Sequence, residues 1–195
     1  EYGYDSLARS IKEQNADIIG LSFTTNQKKY VRRFFESCDV PYNRMILAGG
    51  VQGTLLKEQV FEDFPRLEGI CVGDGEAAFT ELCRRFEAGS DYLTVPGFYF
   101  KQKNRIIKNQ AAPLYDIDPL APPDYSFFYS GSNFEAGGGY HQMLVSRGCP
   151  YRCHHCCNHV LREVYPNPEK YVRFFSPKRA LEIVKLNLAA SPGTR

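Results

Sequence analysis

The stretch Asp17-Ile18-Ile19-Gly20-Leu21-Ser22-Phe23-Thr24-Thr25 decides the fold. Its apolar run is too short for a helix and ends in small hydroxyl residues, which is the pattern of a buried strand turning into a loop. Upstream, Leu7, Ala8 and Ile11 form a helical stripe. Downstream, Tyr30, Val31, Phe34, Phe35 and Cys38 share one side of a second helix. The rhythm then repeats. Arg44-Met45-Ile46-Leu47-Ala48 reads as a strand closed by Gly49-Gly50, and Leu55 to Phe61 as a short helix. Gly69-Ile70-Cys71-Val72 is a third strand, and Phe79, Leu82, Cys83 and Phe86 fall at i, i+3, i+4 and i+7 on a third amphipathic helix. Alternating helix and strand predicts an α/β domain with a doubly wound parallel sheet.

Beyond this region, Gly97-Phe98-Tyr99-Phe100 and Arg105-Ile106-Ile107 read as an appended hairpin, which closes the first unit at residues 1–109. Residues 110–141 shift to Pro, Tyr, Phe, Asp and Gly without periodicity and read as a linker, its aromatics packing on a surface. A further unit, 142–195, opens with the strand Gln142-Met143-Leu144-Val145-Ser146. In it, Ser176-Pro177 starts a helix whose buried stripe is expected to be Leu181, Val184 and Leu188.

Between that strand and that helix lies Ser146-Arg147-Gly148-Cys149-Pro150-Tyr151-Arg152-Cys153-His154-His155-Cys156. Thiolates are the soft ligands an iron–sulfur cluster needs, and the C-x3-C-x2-C spacing lets one loop reach three corners of a small cube. The fourth corner is left open, the condition for reactivity at a metal. Pro150 stiffens the turn, and Arg147 and Arg152 favour deprotonated sulfur. Zinc is the rival, held by these cysteines with Cys157, His154 or His159. Zinc loops come as two separated pairs, however, and no second pair exists. Cys38, Cys71 and Cys83 sit among apolar neighbours and read as small core residues.

Composition narrows the classes. The chain has 195 residues, 43% hydrophobic and 24% charged, as in a globular protein. A net charge of +2 is too small to argue for nucleic acid. No apolar run reaches the roughly 18 residues a membrane span needs. Seven cysteines, four of them packed between positions 149 and 157, suit metal ligation in a reducing cytoplasm. The opening Glu1 and the end at Arg195 are read as those of a fragment. No Ser/His/Asp constellation and no P-loop is present. His141 and His159 read as solvent-facing or supporting residues.

The cysteine loop, placed just after a strand, resembles the signature of the radical S-adenosylmethionine enzymes. The resemblance implies that Cys149, Cys153 and Cys156 hold a [4Fe-4S] cluster, whose open iron chelates S-adenosylmethionine. Reductive cleavage then releases a 5'-deoxyadenosyl radical that abstracts hydrogen from a substrate. His155 stands where that family has an aromatic residue beside the adenine, and Cys157 is a bystander.

The upstream half resembles the cobalamin-binding domain of one branch of the family. Ser22 and Thr24 match its S-x-T position, Gly49-Gly50 its Gly-Gly turn, and Gly73, Asp74, Gly75 and Glu76 its acidic glycine segment. Pro119 and Pro123-Asp124-Tyr125 match the linker. Ligands bind outside the carboxyl ends of parallel strands, where glycines let them approach; read singly, each of these segments is equally a tight strand-to-helix turn. No histidine lies in this half, so a lower axial histidine motif is absent from it.

The implied architecture is a Rossmann-like, cobalamin-binding type sheet followed by the first β/α unit of an incomplete (β/α) barrel, since a full barrel needs some 200 residues or more. The implied function is radical methylation or a related C–H transformation of a small-molecule or unknown substrate, driven by a reducing partner such as flavodoxin or ferredoxin. This stretch alone is expected to be inactive. Two other readings are a radical enzyme whose sheet no longer binds cobalamin and a non-catalytic zinc-binding or interaction module.

Overall fold

The structure is a computed structural model and describes residues 3–103, 105–126 and 143–190. Short apolar runs set the sheet. β1 (Ile18–Ser22), β2 (Met45–Gly49) and β3 (Gly69–Cys71) pair in parallel, with Leu21 opposite Ala48 and Ala48 opposite Ile70. β4 (Phe98–Gln102) then runs antiparallel to β3, and β5 (Arg105–Lys108) antiparallel to β4. The order is β1-β2-β3-β4-β5, a mixed sheet whose parallel part is the one read from the sequence.

The hairpin read as an appendage therefore continues the sheet. Phe98 and Phe100 are fully buried, their rings stacked with centroids 5.3 Å apart. At the other edge, β1 pairs with β2 alone among the described residues and is only half-buried, where the sequence had suggested a buried strand.

Helices cover both faces, so β2 is apolar on alternate sides. Ile46 and Ala48 join Phe23, Val31, Val60, Phe61 and Ile70 under α2 (Lys28–Ser37) and α4 (Val60–Asp63). Met45 and Leu47 join Cys71, Ala78, Leu82, Phe98 and Phe100 under α5 (Gly75–Glu87). The helix expected from Leu55 begins earlier, as α3 (Gly50–Leu56), and reaches α4 through a 3-10 turn. α1 (Tyr4–Gln14) buries no residue fully, and Leu7 of its predicted stripe is exposed.

Within residues 110–141, read as a linker, Leu114, Ile117 and Tyr125 are buried. Asn167 donates to the Leu114 carbonyl at 3.0 Å and accepts from its amide at 2.8 Å. The last unit departs further from expectation. Its strand contracts to β6 (Ser146–Arg147), antiparallel to β7 (Arg173–Phe174), while Gln142 lies outside the described residues. α6 (Asn158–Arg162) and β7 intervene before α7 (Pro177–Ala190). Ser176 caps α7 through its hydroxyl to the Arg179 amide at 3.3 Å.

The predicted stripe on α7 is corrected. Ile183 and Asn187 are buried (2% and 0% exposed), whereas Leu181 and Leu188 are 55% and 49% exposed. The helix is turned so that the Ile183/Asn187 pair, one turn apart, faces the protein.

Because Phe98 fills the core between β3 and α5, Phe98→Ala should cost about 3–5 kcal/mol in urea denaturation. A loss below about 1 kcal/mol would place the hairpin outside the core.

Candidate functional site

The carboxyl ends of β1, β2 and β3 lie side by side and carry most of the residues singled out in the sequence. Ser22 and Thr24 are exposed at the end of β1. Thr24 caps a 3-10 turn, its amide donating to the Gln27 side chain at 2.9 Å. Gly49 and Gly50 start α3, and Gly73 and Gly75 lead into α5. Gly50 has φ +76°, and a Cβ there would stand 2.8 Å from the Ser22 hydroxyl and 3.0 Å from the Phe23 backbone. Its own fold thus demands glycine at this turn.

Two residues missed in the sequence tie these turns together. Thr54 donates to the Gly50 carbonyl at 2.9 Å and accepts from the Gly73 amide at 3.0 Å. Gln52 accepts from the Thr25 hydroxyl at 2.8 Å. Both are buried polar side chains in a helix directly after Gly-Gly, the one sequence signal that could have found them.

The cysteine loop begins at Gly148, whose positive φ of 80° and contact with the Tyr171 carbonyl leave no room for a Cβ. Cys149 and Cys156 are half-buried, and Cys153, His154 and His155 are exposed. All are on one loop, and all seven cysteines are free thiols. Asn158 donates to the Cys156 sulfur at 3.3 Å and is itself oriented by the Tyr171 hydroxyl at 3.1 Å. Backbone and side-chain hydrogen bonds from Asn158 hold the Cys156 thiol below its ordinary pKa. Cys71, by contrast, is pushed up to about 12, first by burial and then by the Glu76 and Asp74 carboxylates. It is a core residue.

Among the described residues, no three His, Cys, Asp or Glu side chains converge as a preformed metal site. The donor set nonetheless fits an iron–sulfur cluster: three unpaired thiols reach from one loop, and one already has a hydrogen-bond donor on its sulfur. At the strand ends the Ser22 and Thr24 hydroxyls are exposed, the position where ligands bind outside the carboxyl ends of parallel strands.

Strand ends and loop meet at two carboxylates. Asp74 accepts from the Tyr165 hydroxyl at 2.8 Å, from Arg173 at 2.8 Å and from Arg147 at 3.3 Å. Glu76 pairs with Arg147 and accepts from the Tyr115 hydroxyl at 2.8 Å. Arg147, expected to favour thiolate, is thus held by carboxylates. Burial pushes the Glu76 carboxyl up, but hydrogen bonds from Arg147, the backbone and Tyr115 outweigh it and hold the group at about 2. Burial, and then Asp74, pushes the Tyr165 phenol far up. The Tyr165 ring also lies against Gly73, where a Cβ would meet it at 2.9 Å.

The fold is that of solved radical S-adenosylmethionine enzymes, some of them with cobalamin bound, and the chain covers a part of each. It superposes on the cobalamin-dependent S-adenosylmethionine radical enzyme OxsB, with aqua-cobalamin and S-adenosylmethionine bound, at TM-score 0.69 and 22% identity, covering 96% of this chain and 25% of that one. The radical S-adenosylmethionine methyltransferase TsrM of Kitasatospora setae, with cobalamin and a [4Fe-4S] cluster bound, follows at TM-score 0.63 and 14% identity, covering 97% and 38%. At these identities the likeness speaks for the fold.

In sequence, an uncharacterised methyltransferase of Pyrococcus horikoshii is 23% identical over 155 residues, 78% of this chain and 34% of the relative. The anaerobic magnesium-protoporphyrin IX monomethyl ester cyclase of Cereibacter sphaeroides is 26% identical over 160 residues, 78% and 26%. The chain spans about a third or less of these relatives. No protein-family model matches it. No helix among the described residues is long and apolar enough to cross a membrane.

Glu76 has its pKa depressed from an ordinary value of about 4.3, so its contribution is complete above that pH and is lost as the pH falls toward 2. Discounted for partial exposure, the contribution is about 0.5–1 kcal/mol. Glu76→Gln should lower the unfolding midpoint at pH 7, and the difference from wild type should vanish near pH 2. A difference unchanged at low pH would show that the ion pair does not form.

Proposed function

We propose that this chain is part of a radical S-adenosylmethionine enzyme of the cobalamin-binding branch, catalysing radical methylation or a related C–H transformation. In this reading residues 1–109 form the cobalamin-binding unit, 110–141 the linker and 142–195 the start of the radical domain. The observation that carries it is a loop of three free cysteines anchored beside the carboxyl ends of parallel strands.

Cys149, Cys153 and Cys156 would hold the [4Fe-4S] cluster, with Asn158 donating to the Cys156 sulfur. His155 would lie against the adenine of S-adenosylmethionine. Ser22, Thr24, Gly49, Gly50, Gly73, Gly75 and Glu76 line the strand ends where cobalamin would rest. When bound, these groups supply electron transfer to S-adenosylmethionine and a carrier for the methyl group. The chain's own residues do the rest. The Thr54 and Gln52 hydrogen bonds fix the turns at the strand ends, and Tyr165 and Tyr171 pack with Leu114 beside the loop. A small-molecule substrate, a flavodoxin or ferredoxin as electron donor and a cytoplasmic location complete the proposal. They follow from the chemistry, which needs low-potential electrons and reduced thiols.

Anaerobic reconstitution with ferrous iron and sulfide tests it. The expected result is a brown protein with a broad absorbance near the visible edge, lost in Cys153→Ala. Uptake of zinc but no iron would overturn the reading.

A further inference from the structure

We propose that Asp74 is the positioning residue that fixes the cysteine loop over the carboxyl end of the sheet. Asp74 occupies the N-cap of α5, where an aspartate ordinarily accepts from the amides of the first turn and stabilises the helix by about 1 kcal/mol. Here it makes no such bond. Its carboxylate turns away from its own helix and accepts three hydrogen bonds from residues 73, 91 and 99 positions further along the chain.

The three donors come from three parts of the cysteine unit: Arg147 in β6, Tyr165 after α6, and Arg173 in β7. Arg147 is also the register partner of Arg173 in the two-residue β6–β7 ladder. Two guanidiniums directly opposite each other repel, and a ladder this short has little else to hold it. The Arg173 side chain is 10% exposed, so its charge needs a close counterion. Asp74 supplies that partner and bridges both arginines through one oxygen. Glu76 adds a second contact to Arg147 and none to Arg173.

Arg147 stands two residues before Cys149, and Arg173 follows Tyr171, which abuts Gly148 and orients Asn158. The carboxylate thus holds the start of the loop directly through Arg147 and its far end indirectly, through the segment that carries Tyr171. Its importance for catalysis rests on the proposed function above. Its grip on the loop does not, and the two can be tested apart.

Amide hydrogen exchange on the iron-free chain reads the grip, with iron and sulfide uptake measured in parallel. In Asp74→Asn, peptides spanning 146–157 and 171–175 should exchange about tenfold faster or more, while β2 and β4 keep their protection. Asp74→Glu, which retains the charge, should recover part of the lost protection. If Asp74→Asn does not fold, Arg173→Met breaks the same pair from the loop side and should accelerate the same peptides. Unchanged exchange at 146–157, or faster exchange spread equally through β2 and β4, would overturn the proposal. A loop that loosens as expected in a chain that takes up no iron would leave the grip standing and remove the cluster. A chain that takes up iron with an indifferent loop would do the reverse.

Discussion

A single carboxylate, Asp74, faces two guanidiniums and a phenol across the seam between the parallel sheet and the cysteine loop. Among the described residues, it is the one group that touches β6, β7 and the segment after α6 together. The β6–β7 ladder is two residues long and places Arg147 against Arg173. Without a shared anion, that pair is an electrostatic fault in place of a support. With it, a loop rich in small and polar residues acquires a fixed platform. The small apolar cluster of Leu114, Tyr165 and Tyr171 adds packing to the same seam and brings in the segment around Leu114. Burial and charge therefore act together: Tyr165 is one of the three groups on Asp74 and also a wall of that cluster.

The sheet supplies the other half of the platform. Three parallel strands end at the same level, and the turns leaving them are laced by buried Thr54 and Gln52. Gly50 is required by its positive φ and its approach to Ser22, and the Tyr165 ring lies against Gly73. These glycines serve the chain's own packing as well as any ligand above it. Ser22 and Thr24 remain exposed at the end of β1. The sheet of solved cobalamin-dependent radical enzymes is the same fold, seen here in a chain that spans a quarter to two-fifths of them.

The strands at 18–22, 45–49 and 69–71 were legible because short apolar runs ending in small hydroxyl or glycine residues have few alternatives. The cysteine loop was legible because ligand spacing is a local property. What could not be read was set by distant partners. The hairpin at 98–108 looked detached because nothing local records that Phe98 and Phe100 face α5. On α7, Leu181, Val184 and Leu188 at helical spacing suggested the buried face, yet Ile183 and Asn187 are the residues turned inward, because a helix's orientation is set by what it packs against. Asp74 was visible only as part of an acidic glycine segment. Its partners lie up to 99 residues away, and only the folded chain shows that its side chain has abandoned its own helix.

The three-cysteine loop, held at the carboxyl end of the parallel strands, is proposed to carry an iron–sulfur cluster. A crystal structure of the anaerobically reconstituted chain, with iron located by its anomalous scattering, tests this directly. The expected result is iron bound by Cys149, Cys153 and Cys156, with Asp74 still joined to Arg147 and Arg173. Iron at other residues, or a filled loop swung away from Asp74, would contradict the account.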